Sequence, residues 1–144
     1  MTLSRLDYLY TPSDDVAADL RYFVDVLGAT FGFAIEDAGI RVAMVELGGP
    51  PAILLTDHLE GDRPIHLYAV DDMAKAQREL EARGWKQERS VELPPGPAVT
   101  FRTPGGLRLA IYQAVRPFVV ESFRGRRDFG WARRGRVAES APRP

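Results

Sequence analysis

One order of elements occurs twice in this chain of 144 residues, and any fold must accommodate both copies. Leu3 to Tyr10 is short and rich in Leu and Tyr, which predicts a strand. Thr11-Pro12-Ser13 ends it, and Ser13 or Asp14 is placed to cap a helix. Val16, Leu20, Phe23 and Leu27 then form one apolar face, with Gly28 set to terminate it. Strands are predicted over Phe31–Glu36, Ile40–Leu47 and Ala52–Asp57, separated by glycine- and proline-bearing turns. The same succession returns with a strand at Ile65–Val70 and a helix carrying Met73, Ala76 and Leu80. Asp71 or Asp72 caps that helix, and Gly84 ends it. Part of Trp85–Leu93, then Ala98–Arg102 and Leu107–Gln113, complete the second set.

Gly28 and Gly84 lie 56 positions apart, which fits a duplicated β-α-β-β-β module. Neither copy can bury two apolar layers of useful size by itself. The expectation is an α+β protein with one domain over residues 1–116, built from modules of about 1–60 and 61–116. Hydrophobic residues at 45% supply the core.

Residues 117–144 differ in character. They carry seven arginines against three acidic residues, a net +4, which leaves −5 for the first 116 residues. Phe118, Val119, Val120, Phe123, Phe129 and Trp131 alternate with Arg124, Arg126, Arg127, Arg133 and Arg134. This stretch reads as a basic aromatic extension, packed as a strap along the domain or on a partner subunit, with Arg136–Pro144 frayed. The net charge of −1 argues against a nucleic-acid module. The absence of cysteine excludes a disulfide scaffold, a thiolate nucleophile and thiolate metal ligands. No signal peptide or stretch of about 20 apolar residues is present, so a soluble cytoplasmic protein without a membrane partner is expected.

Phosphate-cradling and catalytic motifs are missing. Gly48-Gly49-Pro50-Pro51 and Gly105-Gly106 precede strands instead of opening helices. No GxSxG, HExxH or P-loop pattern occurs.

The opening LDYLYTPSDDVAADLRYFVDVLG and the closing TPGGLRLAIYQ, one module length apart, resemble the vicinal oxygen chelate superfamily, which includes glyoxalase I, extradiol dioxygenases and bleomycin-resistance proteins. The resemblance covers about residues 3–115. It implies two βαβββ modules whose sheets curl around a shared cleft, commonly in a homodimer. In metal-dependent relatives the cleft holds a divalent ion. The resemblance places the four ligand positions on Asp7, Leu54, Ile65 and Ala110, of which only Asp7 can bind a metal. His66 sits one residue from a ligand position, on the opposite face of its strand. No metal and no cofactor are therefore expected.

The same resemblance turns the Ala110 face of the last strand into the cleft, and alternation then places Arg108 and Tyr112 there. Arg108 suits a ligand carboxylate or phosphate, or it pairs with Asp7 or a nearby acid. Arg5, Asp7 and Leu9 share one face of the first strand; Leu54, Thr56 and His58 share one face of the fourth. His58 is a candidate proton carrier or a rim residue. His66 is expected to face the covering helix. Arg41 and Arg102 are further cleft candidates, whereas Tyr8, Tyr10, Tyr68, Phe101 and Trp85 read chiefly as packing. The expected ligand-binding set is Arg108, Tyr112, Asp7, Thr56, His58 and Arg5, and the expected ligand is an anionic or aromatic small organic molecule. A metal-free lyase or isomerase using Asp7 or His58 as base is the alternative. A regulatory or structural role through the extension is the third.

Overall fold

A computed structural model describes residues 1–130, so Trp131, Arg133, Arg134 and the Arg136–Pro144 end lie outside the described residues. Both copies of the repeat form. The first comprises β1 (Arg5–Pro12), α1 (Val16–Arg21), β2 (Thr30–Asp37), β3 (Ile40–Glu46) and β4 (Ala52–Thr56). The second comprises β5 (Ile65–Ala69), α2 (Met73–Glu81), β6 (Arg89–Leu93), β7 (Gly96–Arg102) and β8 (Arg108–Tyr112). A short helix, α3 (Phe118–Phe123), follows.

The eight strands make one mixed, curled sheet in the order β2-β3-β4-β1-β5-β8-β7-β6. Each module pairs its first and last strands in parallel, β1 with β4 and β5 with β8. The modules join through the antiparallel β1–β5 pair. β2 and β6 are thus the two outer edges.

The helices cover the convex face. Leu20 of α1 is fully buried among Ala34, Ala43, Val45 and Leu55. Met73 and Ala76 of α2 pack on Val99, Phe101 and Ile111. Burying a side chain the size of Leu20 or Ile111 stabilises the fold by roughly 2–3 kcal/mol. His66 stacks near Tyr68 on this convex side, with ring centroids 6.5 Å apart, as its alternation with Ile65 and Leu67 predicts.

Two local features depart from the sequence reading. The first helix is capped by Asp15, whose Oδ1 accepts from the Ala18 N–H at 3.0 Å, and not by Ser13 or Asp14. β1 runs on to Pro12 through pairing with Thr56, which delays the helix start. Ser13 instead donates its hydroxyl to Asp19 at 2.6 Å. Second, α1 widens into a π turn over Tyr22–Val26, with the Leu27 N–H donating to the Tyr22 carbonyl five residues back. That widening rotates Leu27 off the apolar face, leaving it 57% exposed while Val24 packs inward. Of Trp85–Leu93 only Arg89–Leu93 is strand, and Trp85 packs edge-on to Phe101, centroids 5.5 Å apart, as read from sequence. Asp72 caps α2 by accepting from Lys75, one of the two predicted caps. Gly28 and Gly84 take positive φ just past the two helices.

Candidate functional site

The concave face of the sheet forms a cleft of about 1050 Å³. Its lining follows from strand register. At one end the paired residues Leu54, Tyr10, Ile65 and Arg108 form a row across β4, β1, β5 and β8. The next row is Ala52, Tyr8, Leu67, Ala110 and Thr100, and the third contains Ala69, Tyr112 and Ala98. Arg108, Ala110 and Tyr112 therefore stand at three successive levels, as alternation along the last strand implied. The middle is apolar, with Phe33, Ile35, Val42 and Met44 adding to the wall.

The face assignment on β1 needs correction. A bulge between Leu6 and Tyr8 leaves Asp7 without a partner on β5. Alternation resets there, so Tyr8 and Tyr10 take the cleft face and Leu9 does not line it. Both tyrosines read as packing residues from sequence. Asp7 and Arg5 border a smaller chamber of about 390 Å³ beyond the Tyr112 level.

At that end Asp7 is fully engaged. Arg5 donates to both of its oxygens, from Nε to Oδ1 and from Nη2 to Oδ2 at 3.2 Å. Tyr112 donates its hydroxyl to Oδ2 at 2.5 Å. Asp7 thus accepts three hydrogen bonds, one on Oδ1 and two on Oδ2. Arg5 remains 61% exposed at the chamber rim.

Tyr112 is buried, and burial followed by the Asp7 hydrogen bond and charge pushes its hydroxyl well above the usual tyrosine range. An unfolded tyrosine loses its proton at about pH 10. Above that pH the unfolded chain binds fewer protons than the folded one, so stability falls as pH rises. The contribution is intact below about pH 10 and is lost towards the higher folded value. Burial raises Tyr8 and Tyr10 in the same direction. Tyr112→Phe is expected to cost about 1 kcal/mol at pH 7 through the lost hydrogen bond. It should also flatten the alkaline slope by up to about 1.4 kcal/mol per pH unit. Denaturant unfolding from pH 9 to 11.5 measures both, and an unchanged slope counts against the assignment.

At the other end Arg108 is held by main chain. Its Nη1 donates to the Glu60 carbonyl at 2.7 Å and to the Arg63 carbonyl at 2.9 Å. Its Nε and Nη2 make no hydrogen bond among the described residues, and no carboxylate pairs with it. The expected pairing with Asp7 or another acid is therefore not made among the described residues; Asp7 is two rows away. Tyr10 and His58 share a hydrogen bond between the tyrosine hydroxyl and Nε2, and both line the cleft. Arg102 lines it as well, paired with Glu88 at 2.9 Å.

Two expected contacts fall elsewhere. Thr56 is fully buried, and its Oγ1 accepts from the His58 N–H at 3.4 Å, so it offers no surface to a ligand. Arg41 stacks over Phe129, 4.6 Å from the ring centroid, outside the cleft.

A divalent ion does not fit this site. Leu54, Ile65 and Ala110 project into the cleft from β4, β5 and β8 without a donor atom. Asp7 is committed to Arg5 and Tyr112, and among the described residues no group of three or more His, Asp or Glu side chains could hold a metal.

α3 supplies what the sequence reading left undecided. Val120 and Phe123 line the cleft from above. Phe123 meets Phe33 edge-on, with centroids 5.6 Å apart. The extension therefore packs along its own domain through Phe129, and its aromatic pattern was the available signal.

The sequence matches no protein-family model and no curated protein. Solved structures are similar in fold. Methylmalonyl-CoA epimerase from Mycobacterium tuberculosis superposes with a TM-score of 0.68 at 16% identity, over 81% of this chain and 92% of that one. The Streptomyces coelicolor methylmalonyl-CoA epimerase, in complex with 2-nitronate-propionyl-CoA, gives 0.65 at 13%, over 80% and 97%. A Vibrio splendidus member of the glyoxalase/bleomycin resistance protein/dioxygenase superfamily gives 0.57 at 18%, over 74% and 96%. With its two βαβββ modules, parallel β1–β4 and β5–β8 pairs and single curled sheet, the chain has the fold of the vicinal oxygen chelate superfamily.

Proposed function

We propose that the protein binds a small organic anion in the cleft without a metal ion, with the apolar body over the middle row and the anionic group on Arg108. One observation carries this reading. The Arg108 guanidinium is oriented by two main-chain carbonyls and, among the described residues, has no carboxylate partner and keeps its Nε and Nη2 donors unclaimed at the cleft. A preoriented guanidinium edge matches a carboxylate, sulfonate or phosphate in bidentate fashion. Tyr8, Leu67, Ala110 and Met44 provide the apolar and aromatic surface that a flat body needs.

8-Anilinonaphthalene-1-sulfonate is a probe of this chemistry, since it joins fused rings to one anionic group. It is expected to bind the native protein saturably at one site. Arg108→Gln should weaken it about tenfold to a hundredfold, as loss of a charge-assisted hydrogen bond of about 1.5–3 kcal/mol implies. N-phenyl-1-naphthylamine, which lacks the sulfonate, should bind both forms alike. Equal loss of both probes, or no loss of either, overturns the assignment of Arg108.

A second reading, a metal-free lyase or isomerase, is favoured by the Tyr10–His58 hydrogen bond in the cleft, with Tyr10 in the same strand row as Arg108. Such a pair can move a proton at a carbon next to the anionic group. Deuterium uptake from solvent into a bound carboxylate, lost in His58→Asn, would establish it.

A further inference from the structure

The segment after β8 crosses the open side of the curled sheet. It is rooted at the second module's outer hairpin, where the Arg116 N–H donates to the Pro95 carbonyl at 2.8 Å. The Arg116 side chain adds bonds to the Pro94 carbonyl at 3.0 Å and the Leu93 carbonyl at 3.1 Å. At its far end it is sewn to β2, the opposite edge. The Gly125 N–H donates to the Gly32 carbonyl at 2.8 Å, the Ala34 N–H to the Arg126 carbonyl at 2.8 Å, and the Asp128 N–H to the Ala34 carbonyl at 2.8 Å. Phe129 then enters the core beneath α1. The strap thus ties β2 to the β6–β7 turn, the two extremes of the sheet order.

Between these anchors the attachment is slight. α3 has six residues, none of them buried, and its Pro117 cap makes no side-chain hydrogen bond. Its polar fastening is Arg124, which donates from Nη1 and Nη2 to Glu46 of β3 at 2.8 and 3.4 Å and from Nε and Nη2 to Glu121 at 3.2 and 3.1 Å. These groups are exposed enough for solvent to compete with them. Gly125, at a positive φ of 85°, follows directly and can absorb a change of direction. The apolar side chains of this weakly held piece, Val120 and Phe123, form the cleft's roof.

We propose that α3 is the gate of the cleft, opening between fixed anchors at Arg116 and Gly125 to admit a ligand and closing with Val120 and Phe123 against its apolar body. The proposal rests on the reading of the cleft as a binding site for a small organic anion. It makes Phe123 a contact that sets how bulky a ligand can be, and Arg124 the latch that sets how fast it enters and leaves.

Stopped-flow fluorescence with 8-anilinonaphthalene-1-sulfonate tests this on the full chain. Arg124→Gln should raise the association and dissociation rates together, by about three- to tenfold, with Kd changed less than twofold. Phe123→Ala should raise the dissociation rate by about tenfold without slowing association. Unchanged rates in both variants overturn the gate. A readout without any ligand separates failure of the gate from failure of the binding site. In native-state hydrogen exchange the Val119 and Arg124 amides should exchange at least tenfold faster than those of Ala34 and Asp128. Arg124→Gln should accelerate the first pair alone. If all four exchange together, α3 opens only with the whole fold and the gate is wrong, whether or not the probe binds.

Discussion

Phe129→Ala is expected to destabilise the protein by about 3–5 kcal/mol, the range for emptying a well-packed aromatic site. The residue comes from a segment beyond both modules, yet it is 6% exposed and packs with Val16, Leu20, Ala34 and Leu55 in the α1 core. Arg41 stacks over its ring, adding a cation–π contact. Truncation leaves a cavity beneath α1 and removes the weight that seats the Arg126–Asp128 segment on β2. At about 3 °C per kcal/mol for a chain of this size, the thermal midpoint should fall by roughly 10 °C. Phe118→Ala, at a position 67% exposed, should change stability by less than about 0.5 kcal/mol. Denaturant unfolding of the two variants separates them. A loss below about 1 kcal/mol in Phe129→Ala would show that the strap is an addition to the fold and not part of it.

The periodicities that announce the fold are short-range. Glycine after each helix, alternation along β8 and the doubled element order each depend on residues a few positions apart, so the sheet and the level of Arg108, Ala110 and Tyr112 were readable. What escaped depends on how strands meet. The β1 bulge arises in pairing with β5, about sixty residues away, and no local pattern marks it. Through it Tyr8 and Tyr10 replaced Leu9 on the cleft face. Thr56 sits on the expected strand face, but nothing in the strand indicates that Pro12 and Val42 flank it and leave it without access. Arg108 lines the cleft, held by carbonyls of the β4–β5 loop, groups that every sequence contains and none advertises. The phenylalanines of the extension were visible; which edge they would cover was not.

Gly96→Ala carries the other large effect, for a steric reason. A Cβ on Gly96 would stand 1.9 Å from the Gln113 carbonyl oxygen and 3.1 Å from the Val115 nitrogen. Both are main-chain atoms, so no side chain can swing aside. The crowded stretch is also the root of the strap and a support of the second helix. The Gln113 N–H donates to the Pro97 carbonyl at 3.1 Å, and its Oε1 accepts from the Met73 N–H at the start of α2 at 2.9 Å. The methyl group must therefore separate β7 from residues 113–115, and a loss of about 3 kcal/mol or more follows. Gly49→Ala and Gly105→Ala meet nothing within 4 Å and have no positive φ, so they should be neutral or stabilise by up to about 1 kcal/mol. The contrast excludes a general intolerance of alanine for glycine. If Gly96→Ala were as stable as the native protein, residues 113–116 would have to move without cost. The gate would then lack the fixed root at Arg116 on which its opening depends.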